Sequence, residues 1–84
     1  MSHSAQEIQE WLVGYVSRAT GAPPSQVGVH EPFLRHGLDS VAVVALVGDL
    51  EIWLGCRFHD NPLETYPTIA ALAQHLAKRS EPEA

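Results

Sequence analysis

The sequence predicts an all-α fold: a four-helix bundle with a long first loop and a short third helix. Apolar residues recur at i, i+3, i+4 and i+7 spacing in three separate stretches. Those stretches open on residues that cap helix N-termini and are closed by Gly or Pro. No segment of useful length alternates apolar and polar side chains with the period of two that a half-buried strand shows, and there is no internal repeat or low-complexity stretch.

The first helix is expected over about residues 5–19. Ser4 followed three residues later by Glu7 has the capping-box pattern, and Ile8, Trp11, Leu12, Tyr15 and Val16 then make one apolar stripe. Gly21, Pro23 and Pro24 stop it, because Gly favours the helix C-terminus and Pro cannot donate the continuing hydrogen bond. The segment up to Gly37 is a long loop with room for a single helical turn, and Val27, Val29, Phe33 and Leu38 are apolar enough to pin it across a core.

Asp39 or Ser40 serves as the N-cap of a second helix that runs to about Leu54, where Gly55 supplies the C-terminal signal. Val43, Leu46, Val47, Leu50 and Leu54 form its core stripe, and its other face is unusually apolar near the start. Asn61-Pro62-Leu63-Glu64 then places an N-cap, Pro at the first helical position and Glu at the third. The short helix that begins there ends by Tyr66-Pro67. Thr68 caps a last helix with Ile69, Leu72, Ala73 and Leu76 on its apolar stripe, running to about Arg79 before Glu81-Pro82 terminates it. The tail beyond is expected to be disordered.

Length and composition exclude several functions. An 84-residue chain makes one domain at most, residues 1–84 with an ordered part of about 5–79. It buries only about 60–65% of its unfolded surface, too little for a multilayer enzyme around an enclosed pocket. The 45% hydrophobic and 18% charged content is that of a chain that folds alone. Ten acidic residues against five basic ones give a net charge of −5. With no Lys/Arg cluster beyond Lys78-Arg79, nucleic acid is not an expected partner. The acidity is compatible with docking onto basic partner surfaces.

The longest apolar run, Val41 to Val47, falls far short of the roughly 20 residues that span a bilayer, so no membrane association is expected. A single cysteine, Cys56, rules out an intramolecular disulfide, and the start of the chain lacks the basic and apolar regions of a signal peptide. A cytoplasmic monomer is expected, and Met1 with a short polar tail suits a stand-alone protein.

The most informative stretch is Gly37-Leu38-Asp39-Ser40, at the start of the second helix after the long loop. A serine in the first turn sits beside unpaired backbone N–H groups and the positive end of the helix dipole. A phosphodiester anion there is favoured by about 0.3–1 kcal/mol. Gly37 lets the backbone turn sharply and leaves space for a modifying enzyme, while Leu38 points inward. On these four residues alone, Asp39 and Ser40 serve equally well as plain helix caps.

The rest of the chain discriminates. The sequence resembles the acyl carrier proteins of polyketide and fatty-acid assembly lines, in which a Gly-Leu-Asp-Ser motif holds a modified serine. Pro32-Phe33, Leu50-Glu51, Leu54-Gly55, Tyr66-Pro67-Thr68-Ile69 and Leu72-Ala73 also fall where that family places them. The resemblance implies that a phosphopantetheinyl transferase moves the 4′-phosphopantetheine of coenzyme A onto the Ser40 hydroxyl. Acyl groups then ride as thioesters on the thiol of that arm. It implies further that Ser40 is a substrate, that the chain itself is not an enzyme, and that Asp39 assists the metal-bound transferase complex. The expected partners are the transferase, an acyl-loading enzyme, and downstream synthase, condensation or tailoring enzymes of polyketide, lipopeptide or fatty-acid biosynthesis.

Val41, Ala42, Val44 and Ala45 cannot all join a core stripe that already uses Val43, Leu46 and Val47, so some are exposed. Val41, Val44 and Ala45, with Asp49, are the candidate docking residues, although scattered surface hydrophobics are also ordinary. Asp49 and Glu51 make this helix less acidic than its counterpart in stand-alone bacterial fatty-acid carriers, which suits a specialised carrier. The phrase from Val47 to Gly55, including Trp53, is similar to carriers served by fatty-acyl-AMP ligases.

Other signals carry less. His3, His30, His36, His59 and His75 have neither paired spacing nor companion cysteines, so no metal site is expected. Ser40, Asp39 and His36 lie too close in sequence to supply a hydrolase's nucleophile, base and orienter. Trp11, Tyr15 and Trp53 read as core or rim packing, and Cys56 as an incidental thiol. Two rival functions remain. One is a peptidyl carrier of nonribosomal peptide synthesis, against which Leu38 argues, since such carriers usually show Gly-Gly there. The other is a cofactor-free helical interaction module, which would survive Ser40→Ala unharmed.

Overall fold

The computed structural model describes residues 3–58 and 61–80, and these form the expected all-α architecture. Four helices follow in order: α1 (Ala5–Thr20), α2 (Ser40–Leu54), α3 (Pro62–Thr65) and α4 (Ile69–Ser80). The tail expected to be disordered, residues 81–84, lies outside the described residues.

Each helix begins where local chemistry says it must. Ser4 Oγ accepts from the Glu7 N–H at 3.1 Å while Glu7 Oε1 accepts from the Ser4 N–H at 3.0 Å, a complete capping box. The Glu7 carboxyl is held below its ordinary pKa of 4.5, first by the Ser4 backbone N–H and then by the Ser4 hydroxyl. A group depressed in the folded state stabilises fully above its unfolded pKa, and that stability fades as pH falls through the lowered folded value. Thermal melts between pH 6 and 3 should therefore show an acid-dependent loss that is smaller in Glu7→Gln, which keeps the acceptor and removes the titration. Equal pH slopes in the two proteins would contradict this account of the cap.

The core is assembled from all four helices and the long loop. Ile8, Leu12 and Val16 of α1, Leu46 and Leu50 of α2, Leu63 of α3, and Ile69, Leu72, Ala73 and Leu76 of α4 are buried together with Val27, Phe33 and Leu38. Val43, Val47 and Leu54, assigned to the α2 core stripe, are half-buried at its edge. Helix α1 packs mainly on α4. It is tied to α2 by stacked rings: His3 on Trp53 (centroids 4.1 Å apart), Trp53 on Trp11 (5.2 Å) and Trp11 on Tyr15 (5.4 Å). Trp11, Tyr15 and Trp53 are thus rim packing, half-buried between the two helices.

The long loop holds two 3₁₀ turns, Pro24–Gln26 and Phe33–His36, where one helical turn was expected. Three or four residues are too few to display a helical period, and a fixed-φ proline before or at the start of each turn sets them locally. The Phe33 N–H donates to the Pro67 carbonyl (2.8 Å) and the Ala70 N–H to the Val29 carbonyl (2.9 Å). With a lone antiparallel bridge between Pro32 and Thr68, these bonds fasten the loop to the α3–α4 junction. The segment that leads to Gly37 is therefore held at both its apolar anchors and its backbone.

Candidate functional site

Gly37 closes the second 3₁₀ turn in the left-handed region (φ 81°), and its N–H donates to the Leu34 carbonyl at 3.3 Å. A residue with a side chain is strained at that φ, and a Cβ built there would meet nothing within 4 Å. The turn therefore needs Gly for its backbone and leaves open space in front of α2. Leu38 then drops into the core at 5% exposure, which fixes the chain just before the helix begins.

The choice of cap is resolved by geometry. Asp39 is the N-cap: it is extended (φ −86°, ψ 178°), and its Oδ1 accepts from the Ala42 N–H at 2.8 Å. Ser40 is the first residue of α2, exposed, and its hydroxyl has no hydrogen-bond partner among the described residues. The Ser40 and Val41 N–H groups have no intrahelical acceptor. Asp39→Ala should therefore cost about 1 kcal/mol and lower Tm by about 4–8 °C. Asp39→Asn, which keeps the acceptor, should melt close to wild type. Equal losses in the two variants would show that the side-chain oxygen is not what caps α2.

A hydrolase triad is not assembled. The Asp39 carboxylate faces a helix N–H, and His36 Nε2 lies 3.1 Å from the Gly28 carbonyl. Among the described residues no three His, Cys, Asp or Glu side chains gather as a metal site.

Beyond Ser40 the outward face of α2 is apolar. Val41 (76% exposed), Val44 (70%) and Ala45 all face solvent, whereas Ala42 is half-buried. Asp49 is exposed on the same helix, and its Oδ2 accepts from the Tyr15 hydroxyl of α1 at 2.9 Å. Burial and this bond push the Tyr15 hydroxyl pKa up from 10.0. Two further large apolar residues are exposed and are not singled out by the sequence: Leu34 (77% exposed), three residues before Gly37, and Ile52 (81%) at the far end of α2. Ile52 was legible, since it continues the Val41, Val44, Ala45 spacing by two turns. Leu34 sits in a 3₁₀ turn and has no period to reveal it.

The exposed, unpartnered hydroxyl, the two free N–H groups and the open space at Gly37 fit a bulky phosphodiester on Ser40. A negative phosphodiester there is stabilised by the helix dipole. No helix of the described residues is long and apolar enough to cross a membrane.

Comparison with known proteins agrees with this geometry. The family described as the phosphopantetheine attachment site matches residues 10–76. The acyl carrier protein TtuC of Teredinibacter turnerae is 34% identical over 76 residues, covering 90% of this chain and 87% of that protein. In contrast, the chain spans only 4% of the polyketide synthase subunits and 3% of the nonribosomal peptide synthetase that it also matches. The solution structure of Asl1650, an acyl carrier protein from Anabaena sp. PCC 7120, superposes with a TM-score of 0.85 at 33% identity, covering 93% of this chain and 89% of that one. A free-standing peptidyl carrier protein from Acinetobacter baumannii superposes equally well, with a TM-score of 0.85 at 26% identity over 93% and 98% of the two chains. The chain belongs to the phosphopantetheine-binding carrier protein family, whose members bind 4′-phosphopantetheine covalently and shuttle acyl chains as thioesters between synthase and modifying enzymes.

Proposed function

We propose that Ser40 is the attachment residue for 4′-phosphopantetheine and that this chain acts as an acyl carrier with no catalytic activity of its own. The observation that carries the assignment is the position of Ser40: first residue of α2, exposed, its hydroxyl unpartnered and its helix start already capped by Asp39. In the loading reaction the Ser40 oxygen forms a new bond to the phosphorus of the phosphopantetheine half of coenzyme A. The hydroxyl proton passes to a base of the transferase or to water, and the pyrophosphate bond breaks with its electron pair leaving on the nucleotide half, adenosine 3′,5′-bisphosphate. Asp39 holds the helix start in register for this attack and adds a carboxylate beside it for the transferase's metal. The bound arm supplies a thiol at its end, on which acyl groups are held as thioesters.

Val41, Val44 and Ala45, with Asp49 at their flank, form the docking face for the transferase and for the acyl-loading and processing enzymes. The similarity of the Val47–Gly55 phrase to carriers served by fatty-acyl-AMP ligases favours such a ligase as the loading enzyme. The working compartment is the cytoplasm.

The assignment is tested by intact mass after incubation with coenzyme A, magnesium and a broad-specificity phosphopantetheinyl transferase. The chain should gain the mass of one arm. A folded sample that gains none, with a transferase active on a control carrier, would favour a cofactor-free interaction module.

A further inference from the structure

The turn that leads to Ser40 carries a cation with no partner. Phe33 (3% exposed) and Leu38 (5%) are both anchored in the core, so Leu34, Arg35, His36 and Gly37 between them lie toward solvent. The turn is tightly wound: the Arg35 N–H donates to the Pro32 carbonyl at 2.9 Å and the Gly37 N–H to the Leu34 carbonyl at 3.3 Å. Its two basic side chains differ. His36 is half-buried and turned back on the Gly28 carbonyl through Nε2. Arg35 is exposed, and no hydrogen bond or ion pair engages its side chain among the described residues. The other four cations stand elsewhere in the chain: Arg18 near the end of α1, Arg57 after α2, and Lys78 and Arg79 in the last turn of α4.

Loading changes the charge beside this turn. Ser40 gains a phosphodiester anion next to the Asp39 carboxylate, and Asp39 is committed where it stands, since its Oδ1 holds the Ala42 N–H. Two anions on adjacent exposed residues repel, in a chain whose net charge is already −5. The positive end of α2 favours the new anion but already serves the Asp39 carboxylate. Arg35 is the cation nearest in sequence to both. Five residues of fully extended chain reach at most about 18 Å. The 3₁₀ turn, at about 2 Å rise per residue, and the left-handed reversal at Gly37 bring Arg35 and Ser40 closer than that. The space in front of Gly37 is open, because a Cβ there would meet nothing within 4 Å. A guanidinium is planar, carries five N–H donors and pairs with two phosphate oxygens at once.

We propose that Arg35 is the counter-ion of the phosphodiester that loading places on Ser40. Its guanidinium swings across the open space at Gly37 to the phosphate oxygens, so the loaded protein gains an ion pair that the unloaded one lacks. This rests on the reading of Ser40 given above and adds to that site a residue that acts on the arm once it is attached. Because the side chain has no partner before loading, its loss should be felt only after the arm is in place.

The test is a thermodynamic cycle in which loading is one change and Arg35→Gln the other. Thermal melts compare the full chain before and after complete loading by a broad-specificity phosphopantetheinyl transferase with coenzyme A, in wild type, Arg35→Gln and Arg35→Lys. Each is run at about 0.01 M and about 1 M salt, where exposed charges act over about 30 Å and about 3 Å. Unloaded, the three proteins should melt within about 4 °C of one another. At low salt, loading should shift the Tm of wild type upward relative to its shift in Arg35→Gln by about 2–5 °C, with Arg35→Lys between. At about 1 M salt that difference should fall below about 1 °C. Equal loading shifts in wild type and Arg35→Gln at low salt would overturn the counter-ion while leaving the Ser40 assignment intact, and so would a difference that high salt does not reduce. Wild type that is not loaded on Ser40 at all would instead overturn the assignment itself.

Discussion

Ser40→Ala should abolish loading by the transferase and leave the fold nearly untouched. The substitution removes the only side-chain atom that could accept the phosphoryl group at this position, so the loss should be complete and no rise in enzyme or coenzyme A concentration should recover it. Stability is spared because the hydroxyl does not cap α2: Asp39 Oδ1 holds the Ala42 N–H, and Ser40 is exposed at the first helical position. Alanine is also at least as good a helix former. Tm should stay within about 4 °C of wild type, a surface-substitution effect of about 0.5 kcal/mol or less. A mutant that still gains an arm would exclude Ser40 as the attachment point. A mutant that loses loading together with its fold would leave the hydroxyl with a structural role that the hydrogen bonds do not give it.

The second large effect separates the two faces of α2. Leu46 is fully buried, at 0% exposure, among the core residues of α1, α4 and the loop, whereas Val44 two residues earlier is 70% exposed. Leu46→Ala removes buried methyl groups and leaves a cavity, costing about 2–5 kcal/mol. An 84-residue domain has about 4–12 kcal/mol of total stability, so Tm should fall by at least about 10 °C. Val44→Ala should change stability by no more than about 0.5 kcal/mol, while loading slows through a higher KM as apolar contact area is lost. Thermal melts followed by circular dichroism, paired with loading kinetics, read both quantities. Similar stability losses in the two variants would contradict the assignment of an inner and an outer face.

Much of this arrangement was legible from residue types and spacing. Capping chemistry is local, so Ser4 with Glu7, Asn61 with Pro62, and Thr68 announced their helices, and the structure forms the side-chain bonds those pairs require. The stripe Ile69, Leu72, Ala73 and Leu76 is buried throughout. The cap of α2 was ambiguous because Asp39 and Ser40 are both good caps and only one can have its side chain reach back to an N–H of the first turn. Geometry decides for Asp39, and that leaves the serine free for chemistry. The 3₁₀ turns are shorter than any period, so the sequence offered room for a single helical turn in the loop and could place neither of the two. The Tyr15–Asp49 bond joins residues 34 apart in sequence, so no local pattern marks it. It adds to how Asp49 is understood: the exposed carboxylate is held in place from α1. Ile52 was missed for a different reason. It lies two turns beyond Ala45, and the spacing of the outer stripe continues through to it.

The measurement that tests the account most directly is fragmentation of the loaded chain to locate the arm. After incubation with coenzyme A, magnesium and transferase, the peptide spanning Gly37 to Ala45 should carry the whole added mass on Ser40, as a phosphodiester that releases the arm on fragmentation. An arm found on another serine or on Cys56, or a folded chain that acquires none, would contradict it.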